Sequence, residues 1–277
     1  MMNAPVLTNS LSAKPQTRSC RAQVSAKMSL TPPIITQSSI FQMREGISLA
    51  DATKSSDTPK LSPSPAVKTF EGLCETIKTQ KGFIRQYWGQ QVEDPTLFVW
   101  CIDWESSDHH EAFANSEGYN TYTTALERIF DFIKAAPLTT FTKWSSDPTP
   151  ALKAPVTEIA FLTLPDSSPE DTKRVTEEAL GPILSDVQKI GKAWGAALGW
   201  VSKTTPAIHE AAPEGHHIAL HGVFGYASIE DHMKWRETQE HTQAVETMEE
   251  LATRVHLDSA DIHGADMFHV AFYYPNS

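Results

Sequence analysis

Two segments of this chain superimpose in pattern when one is slid 122 residues along the other, as when His110 is laid on His232. A repeat of that length means one structural unit built twice. Trp104, Ser106, His110 and Phe113 fall on Tyr226, Ser228, His232 and Trp235. Further on, Tyr122, Leu126, Ile129, Phe130 and Ile133 fall on Ala244, Met248, Leu251, Ala252 and Val255. Both sets step as one face of an amphipathic helix.

The elements around these segments repeat as well. Residues 97–104 and 217–224 are nearly continuous apolar runs, the pattern of strands covered on both faces. Residues 83–89 and 194–200 read as their neighbouring strands. Ser64-Pro65 and Ser168-Pro169-Glu170-Asp171 place a capping hydroxyl, a proline at the first helical position and, in the second case, acidic residues in the first turn, so each opens a helix. Leading strands are expected at 39–43 and 158–164, and closing strands at 139–144 and 267–274. Each copy then reads β-α-β-β-α-β.

That order predicts an α+β fold of two ferredoxin-like units. Both helices of a unit lie on one face of its antiparallel sheet, leaving the other face bare. In the run 97–104 both side-chain parities are apolar, Phe98, Trp100, Ile102 and Trp104 on one and Leu97, Val99 and Cys101 on the other. Burying half of one such face is worth on the order of 10 kcal/mol. The two units are therefore expected to pack sheet to sheet as a barrel, a pseudo-dimer within one chain, with a further homo-oligomer left open.

The expected organisation is a disordered tail or transit-like segment over 1–33, a first domain over 34–146 with a flexible insertion at 51–63, a linker over 147–154 and a second domain over 155–277. The first segment, without Asp or Glu as far as Arg44, resembles a transit peptide in composition, and either Met1 or Met28 serves as the start. A net charge of -11 argues against nucleic acid and anionic membrane as partners. Cys20, Cys74 and Cys101 are too scattered for a disulfide framework or a zinc spacing. A cytoplasmic setting is expected, or a mitochondrial one if the basic N-terminal segment is a transit peptide.

The run Tyr87-Trp88-Gly89, then Val99 to Trp104, then Ser106 with His110 and Phe113, resembles the dimeric α/β-barrel superfamily and its antibiotic-biosynthesis-monooxygenase-like (ABM) branch found in fungal proteins. The similarity covers most of 36–274 as a tandem pair. It implies a small-molecule tailoring enzyme of secondary metabolism, foremost a cofactor-independent monooxygenase acting on an aromatic or polyketide substrate. The same scaffold also carries cyclases, isomerases and decarboxylases, and non-catalytic stress-responsive or ligand-binding barrels. No cofactor and no metal are expected, and the partner is a hydrophobic or aromatic small molecule.

Candidate chemistry falls on a few side chains. His221 shares a strand parity with His217, and His269 lies in the closing strand, so an acid/base pair forms if the parities match. Asp103, in an apolar strand beside the one carrying Arg85, is either an ion-pair partner or a base with a raised pKa, or else a strand-end cap. The second copy has Gly225 at that position, so one half alone would be active. His110 and His232 recur but fit a structural role equally well. Trp88, Trp100, Tyr87, Trp200 and Tyr273, with Arg85 and His217, are the candidate substrate-binding residues, although aromatics more often fill cores. The cleft between sheet and helices is the place such a pocket is expected.

Overall fold

Helix α1 (Pro65–Lys78) begins where Ser64 accepts a hydrogen bond from the amide of Val67, with proline at the first turn, and buries Val67, Phe70, Leu73, Cys74 and Ile77 on one face. Around it, the computed structural model describes residues 34–49, 64–164, 169–205, 218–255 and 266–274. The segments expected as tail (1–33) and as insertion (51–63) lie outside the described residues, and so does His217.

The first unit consists of β1 (Ile35–Gln42), α1, β2 (Phe83–Gln90), β3 (Leu97–Trp104), α2 (Ser107–Ala114), α3 (Tyr119–Leu126) and β4 (Leu138–Trp144). A short helix α4 (Thr149–Leu152) follows. The second unit consists of β5 (Val156–Leu164), α5 (Pro169–Lys189), β6 (Gly195–Thr205), β7 (Ile218–Tyr226), α6 (Ile229–Arg236), α7 (Gln239–Arg254) and β8 (Asp266–Val270). Helices α2 and α6 coincide residue for residue at the 122-residue offset.

All eight strands form one antiparallel sheet in the order β2-β3-β1-β4-β6-β7-β5-β8. Each half has the ferredoxin-like order, and the halves join through β4 and β6, where Thr142 pairs with Val201. The two ends of the sheet meet as well. The Trp88 and Tyr273 backbones exchange hydrogen bonds of 3.0 and 2.7 Å, and the Val92 amide donates to the His269 carbonyl. The sheet is thereby closed into a barrel, which leaves no bare edge.

Three layers follow from the side-chain alternation. Phe98, Trp100 and Trp104 point outward and pack with α1, α2 and α3. Val99 and Cys101 point inward, where they meet Ile159, Phe161, Val223 and Phe268 of the second half. Leu162, Leu220 and Leu251 form the outer layer of the second half. Helix α4, in the expected linker, caps one end of the barrel. A Cβ on Gly195 or Gly225 would come within 2.8 Å of the Ala151 backbone, so this close approach requires glycine at both positions.

One periodicity did not carry through. The helical face drawn from Tyr122 to Ile133 is cut short, since α3 ends at Leu126 and Ile133 is 94% exposed. Its cause is the end of β1. The Arg44 amide donates to the Ile129 carbonyl and the Asp131 amide to the Gln42 carbonyl, pulling the chain off the helix axis after Phe130. The closing strand of the second unit also differs, since β8 ends at Val270 and Tyr273 pairs instead with Trp88. No described helix is long and apolar enough to cross a membrane.

Candidate active site

The two halves treat the space between sheet and helices differently. In the first half Phe70 stands edge-on to Trp88, Phe98 and Trp100 with ring centroids 5.4, 5.1 and 5.0 Å away, and together they fill it. In the second half the position of Trp100 is taken by Gly222, and its cross-strand neighbour Trp88 by Leu198. Two indoles are thus replaced by an aliphatic chain and a hydrogen. A cavity of about 480 Å³ remains, walled by Leu162, Leu198 and Phe224 of the sheet, Leu184 and Val187 of α5 and Met248 of α7. Its size and apolar walls suit a drug-sized organic molecule.

One end of this cavity is polar. Glu158 projects from β5, His269 from the directly paired position of β8, and His232 from α6. His232 Nδ1 and His269 Nε2 are 2.8 Å apart, while His232 Nε2 lies 3.6 Å from Glu158 Oε2, beyond hydrogen-bond reach. Glu93, from the β2–β3 connection of the first half, takes both donors of His269: Nδ1 at 2.5 Å and the backbone amide at 2.9 Å. The His232 ring stacks on Tyr226 with centroids 4.7 Å apart. The ligand atoms of Glu158, His232 and His269 all lie within 4.8 Å of one another, so this donor set is also of the type that holds a divalent ion.

Hydrogen-bond accounting assigns the protons. A carboxylate only accepts, so His269 donates from Nδ1 to Glu93, and in its singly protonated form its Nε2 is an acceptor. His232 then donates from Nδ1 to that nitrogen, leaving a lone pair on Nε2 facing Glu158. Burial pushes the Glu158 carboxyl up to about 7, against the pull of His269 and Arg236. Burial, with His269 and Arg236 nearby, presses His232 down to about 4. Glu93 is partly buried, but the two bonds from His269 hold its carboxyl below the ordinary value. At neutral pH the site therefore holds uncharged His232 beside a carboxyl poised near its midpoint.

The first half carries the same positions without the chemistry. Strand register places Gln37 where Glu158 stands and Phe141 where His269 stands. His110, the counterpart of His232, packs on Phe141 with centroids 4.6 Å apart. Gln37 accepts a bond from the Trp104 indole at 3.1 Å. Among the described residues, a three-member ionisable cluster stands only at the cavity of the second half, while a smaller cavity of about 220 Å³ beside His110 and Phe141 has Glu111 as its one carboxylate.

The residues singled out from the sequence do not converge on one place. His269 lines the cavity. His221 lies on the opposite face of the sheet, in the barrel interior, and β5 separates its strand from β8, so the His221–His269 pair does not form. His221 Nδ1 is 2.9 Å from Thr142 Oγ1 and its ring stacks on Phe161. Asp103 also faces the interior, fully buried, accepting from Thr36 Oγ1 and Arg85 Nε at 2.5 Å each. It is not a strand-end cap. Burial raises its carboxyl even though Thr36 and Arg85 hold the charge. Tyr87 belongs to the same interior. Trp88, Trp100 and Tyr273 pack in the outer core of the first half. Trp200 lies in the outer layer of the second half, bonded to Glu177 at 2.7 Å, and does not line the cavity.

Glu158 and Glu93 were not singled out by sequence reasoning. The signal for Glu158 was present, a lone carboxylate in the run Ile159-Ala160-Phe161-Leu162 that follows it. Nothing in the sequence marked Glu93, whose role depends on closure of the barrel between β2 and β8.

His221 also gives a stability prediction. Burial lowers its pKa to about 3, against the ordinary 6.5. Between these values the unfolded chain binds a proton that the native protein does not, so this group costs no stability above 6.5 and an increasing amount as pH falls, up to about 1.4 kcal/mol per pH unit. Urea unfolding at pH 7 and pH 4.5 is expected to show a smaller acid loss for His221→Gln than for the wild type.

Residues 66–125 match the family described as antibiotic biosynthesis monooxygenase. Among solved structures, an anthrone oxidase-like protein superimposes with a TM-score of 0.53 at 11% identity, over 88% of this chain and 94% of that one. A putative monooxygenase from Fusobacterium nucleatum subsp. nucleatum superimposes with a TM-score of 0.53 at 9% identity, over 88% and 95%. At such identities the likeness is one of fold. None of the curated protein sequences matches. The chain has the fold of these proteins, an α/β barrel of the dimeric type with both halves in one polypeptide, and matches the antibiotic biosynthesis monooxygenase family over residues 66–125.

Proposed function

We infer that the chain is a monooxygenase of the cofactor-independent kind, acting on an aromatic, polyketide-like phenol or anthrone held in the cavity of the second half. The observation that carries this reading is an apolar cavity of about 480 Å³ with Glu158, His232 and His269 at one end. The ABM-family match and the fold shared with an anthrone oxidase-like protein support it.

In such chemistry the substrate supplies the electrons, and the protein has to bind it, exclude water and take a proton. Glu158 is the proton acceptor in this reading, because a carboxyl with a pKa near the working pH combines availability with driving force. The resulting carbanion or enolate gives its electrons to dioxygen. One oxygen atom stays on the substrate as a carbonyl and the other leaves as water, so an anthrone plus dioxygen gives an anthraquinone plus water. The Glu158–His232 end binds the substrate's polar edge, and Leu184, Val187 and Phe224 hold its apolar body.

Oxygen consumption with a panel of anthrones and dihydroquinones tests the reading. Uptake well above the uncatalysed rate with at least one member, reduced at least tenfold in Ala160→Trp, which projects an indole into the cavity, is the expected result. No uptake by the wild type with any member would remove it.

A further inference from the structure

We propose that Glu93 of the first half completes the active site of the second, as the outlet of a proton relay running Glu158–His232–His269–Glu93. This deepens the function proposed above and rests on it.

The relay follows from the order of the groups. Glu158 is buried at the cavity, with 11% of its side chain exposed, whereas the Glu93 side chain is 47% exposed. Two imidazoles bridge them, and the 2.8 Å and 2.5 Å separations connect His232 to His269 and His269 to Glu93. The remaining interval of 3.6 Å, Glu158 to His232, closes with a small rotation of the carboxyl when it carries a proton to donate. A proton taken from substrate by Glu158 moves to His232 Nε2. The Nδ1 proton of His232 moves to His269 Nε2, the Nδ1 proton of His269 moves to Glu93, and Glu93 releases it to water. One proton leaves the substrate and one reaches solvent, with no change of oxidation state in the protein.

Other charged groups near the relay are Arg236 and His241, on α6 and α7, which line the same cavity. Burial, with Arg236 nearby, disfavours protonated imidazole at His232 and at His241. Tyr226 stacks on His232 and fixes its ring plane.

The architecture explains why the outlet comes from the other half. The barrel closes by laying the end of β2 against β8, where Val92 bonds the His269 carbonyl, so the next residue, Glu93, reaches the His269 ring. The symmetry-related seam lays β6 against β4, where Ser202 Oγ donates to the Phe141 carbonyl at 3.0 Å. At that seam the residue in the place of His269 is Phe141, which carries no proton to pass on.

The test uses the full chain with ¹⁵N-labelled histidines, with Glu93→Ala and Glu93→Gln as variants, and needs no substrate for its first part. The wild type is expected to show His269 protonated at Nδ1 with a slowly exchanging, downfield proton, and His232 protonated at Nδ1. Glu93→Ala is expected to lose the downfield signal and to let the His269 tautomers mix. Unchanged tautomers and exchange in Glu93→Ala would overturn the relay. So would stoichiometric divalent metal in the purified protein, released by Glu158→Gln, since both imidazoles would then be ligands. With a substrate that the wild type oxidises, Glu93→Gln is expected to lose at least tenfold in kcat with KM within twofold, and to regain rate in concentrated small buffers. A merely structural role predicts no rescue by buffer, and that result would count against the relay. If the wild type oxidises no substrate in the panel, the functional reading fails while the tautomer measurement still decides on the relay.

Discussion

Glu158→Gln is expected to lower oxygen turnover by about 10²–10⁴-fold, the usual contribution of a positioned general base. Glutamine fits the site, because Gln37 occupies the same register position in the first half, facing the same layer of side chains. Loss of activity would therefore report loss of the proton acceptor and not of the fold. The pH profile sharpens the expectation. Glu158 acts when ionised, so wild-type rate is expected to rise with pH through about 7, the carboxyl's pKa in this environment. Oxygen uptake measured from pH 5 to 9 should show that limb in the wild type and not in the residual activity of the variant. Turnover unchanged in Glu158→Gln would exclude it as the base.

Arg85→Ala is expected to cost about 3–5 kcal/mol of stability at pH 7, the range for breaking a buried pair and leaving one charge unpaired. Asp103 is fully buried and would keep only the Thr36 hydroxyl. Burial already favours the neutral carboxyl. The variant therefore has an escape, since Asp103 can take up a proton, and its deficit is expected to shrink between pH 7 and pH 5. Adding Asp103→Asn removes the stranded charge and should recover part of the loss. Urea unfolding of the two variants checks both points. A deficit below about 1 kcal/mol would mean that solvent reaches the carboxylate and that the pair is worth no more than a surface one.

The pair also shows how the halves diverged. Arg85 and Asp103 face each other across β2 and β3, and Gly195 and Gly225 face each other at the same place across β6 and β7. In the second half the two glycines make room for α4, which caps the barrel where the first half uses an ion pair. The two features meet at one end of the interior, where Arg85 Nη2 comes within 3.9 Å of Asp147, two residues before α4.

The fold was readable in the sequence because burial patterns repeat. The apolar runs ending in Trp104 and Tyr226 lie on both sides of the sheet, and two sheet faces of that kind can only cover each other. The site was less readable, for a physical reason. Its cavity comes from a small residue, Gly222, standing where the other half has Trp100, and a cavity is an absence that hydrophobic periodicity does not register. Its cluster depends on register between β5 and β8 and on closure between β2 and β8, which bring Glu158, His269 and Glu93 together from distant parts of the chain. The aromatics that drew attention, Trp88 and Trp100, are the reason the first half has no comparable opening. His221 and His269 were paired by sequence parity, but an intervening strand and opposite faces of the sheet keep them apart.

A crystal structure of the full chain soaked with a hydroxylated anthracene tests the central claim most directly. The account predicts density between the sheet and helices α5 and α7, with the ligand's oxygen beside Glu158 and His232. Density confined to the barrel interior around His221, or in the Trp88–Trp100 layer of the first half, would contradict it.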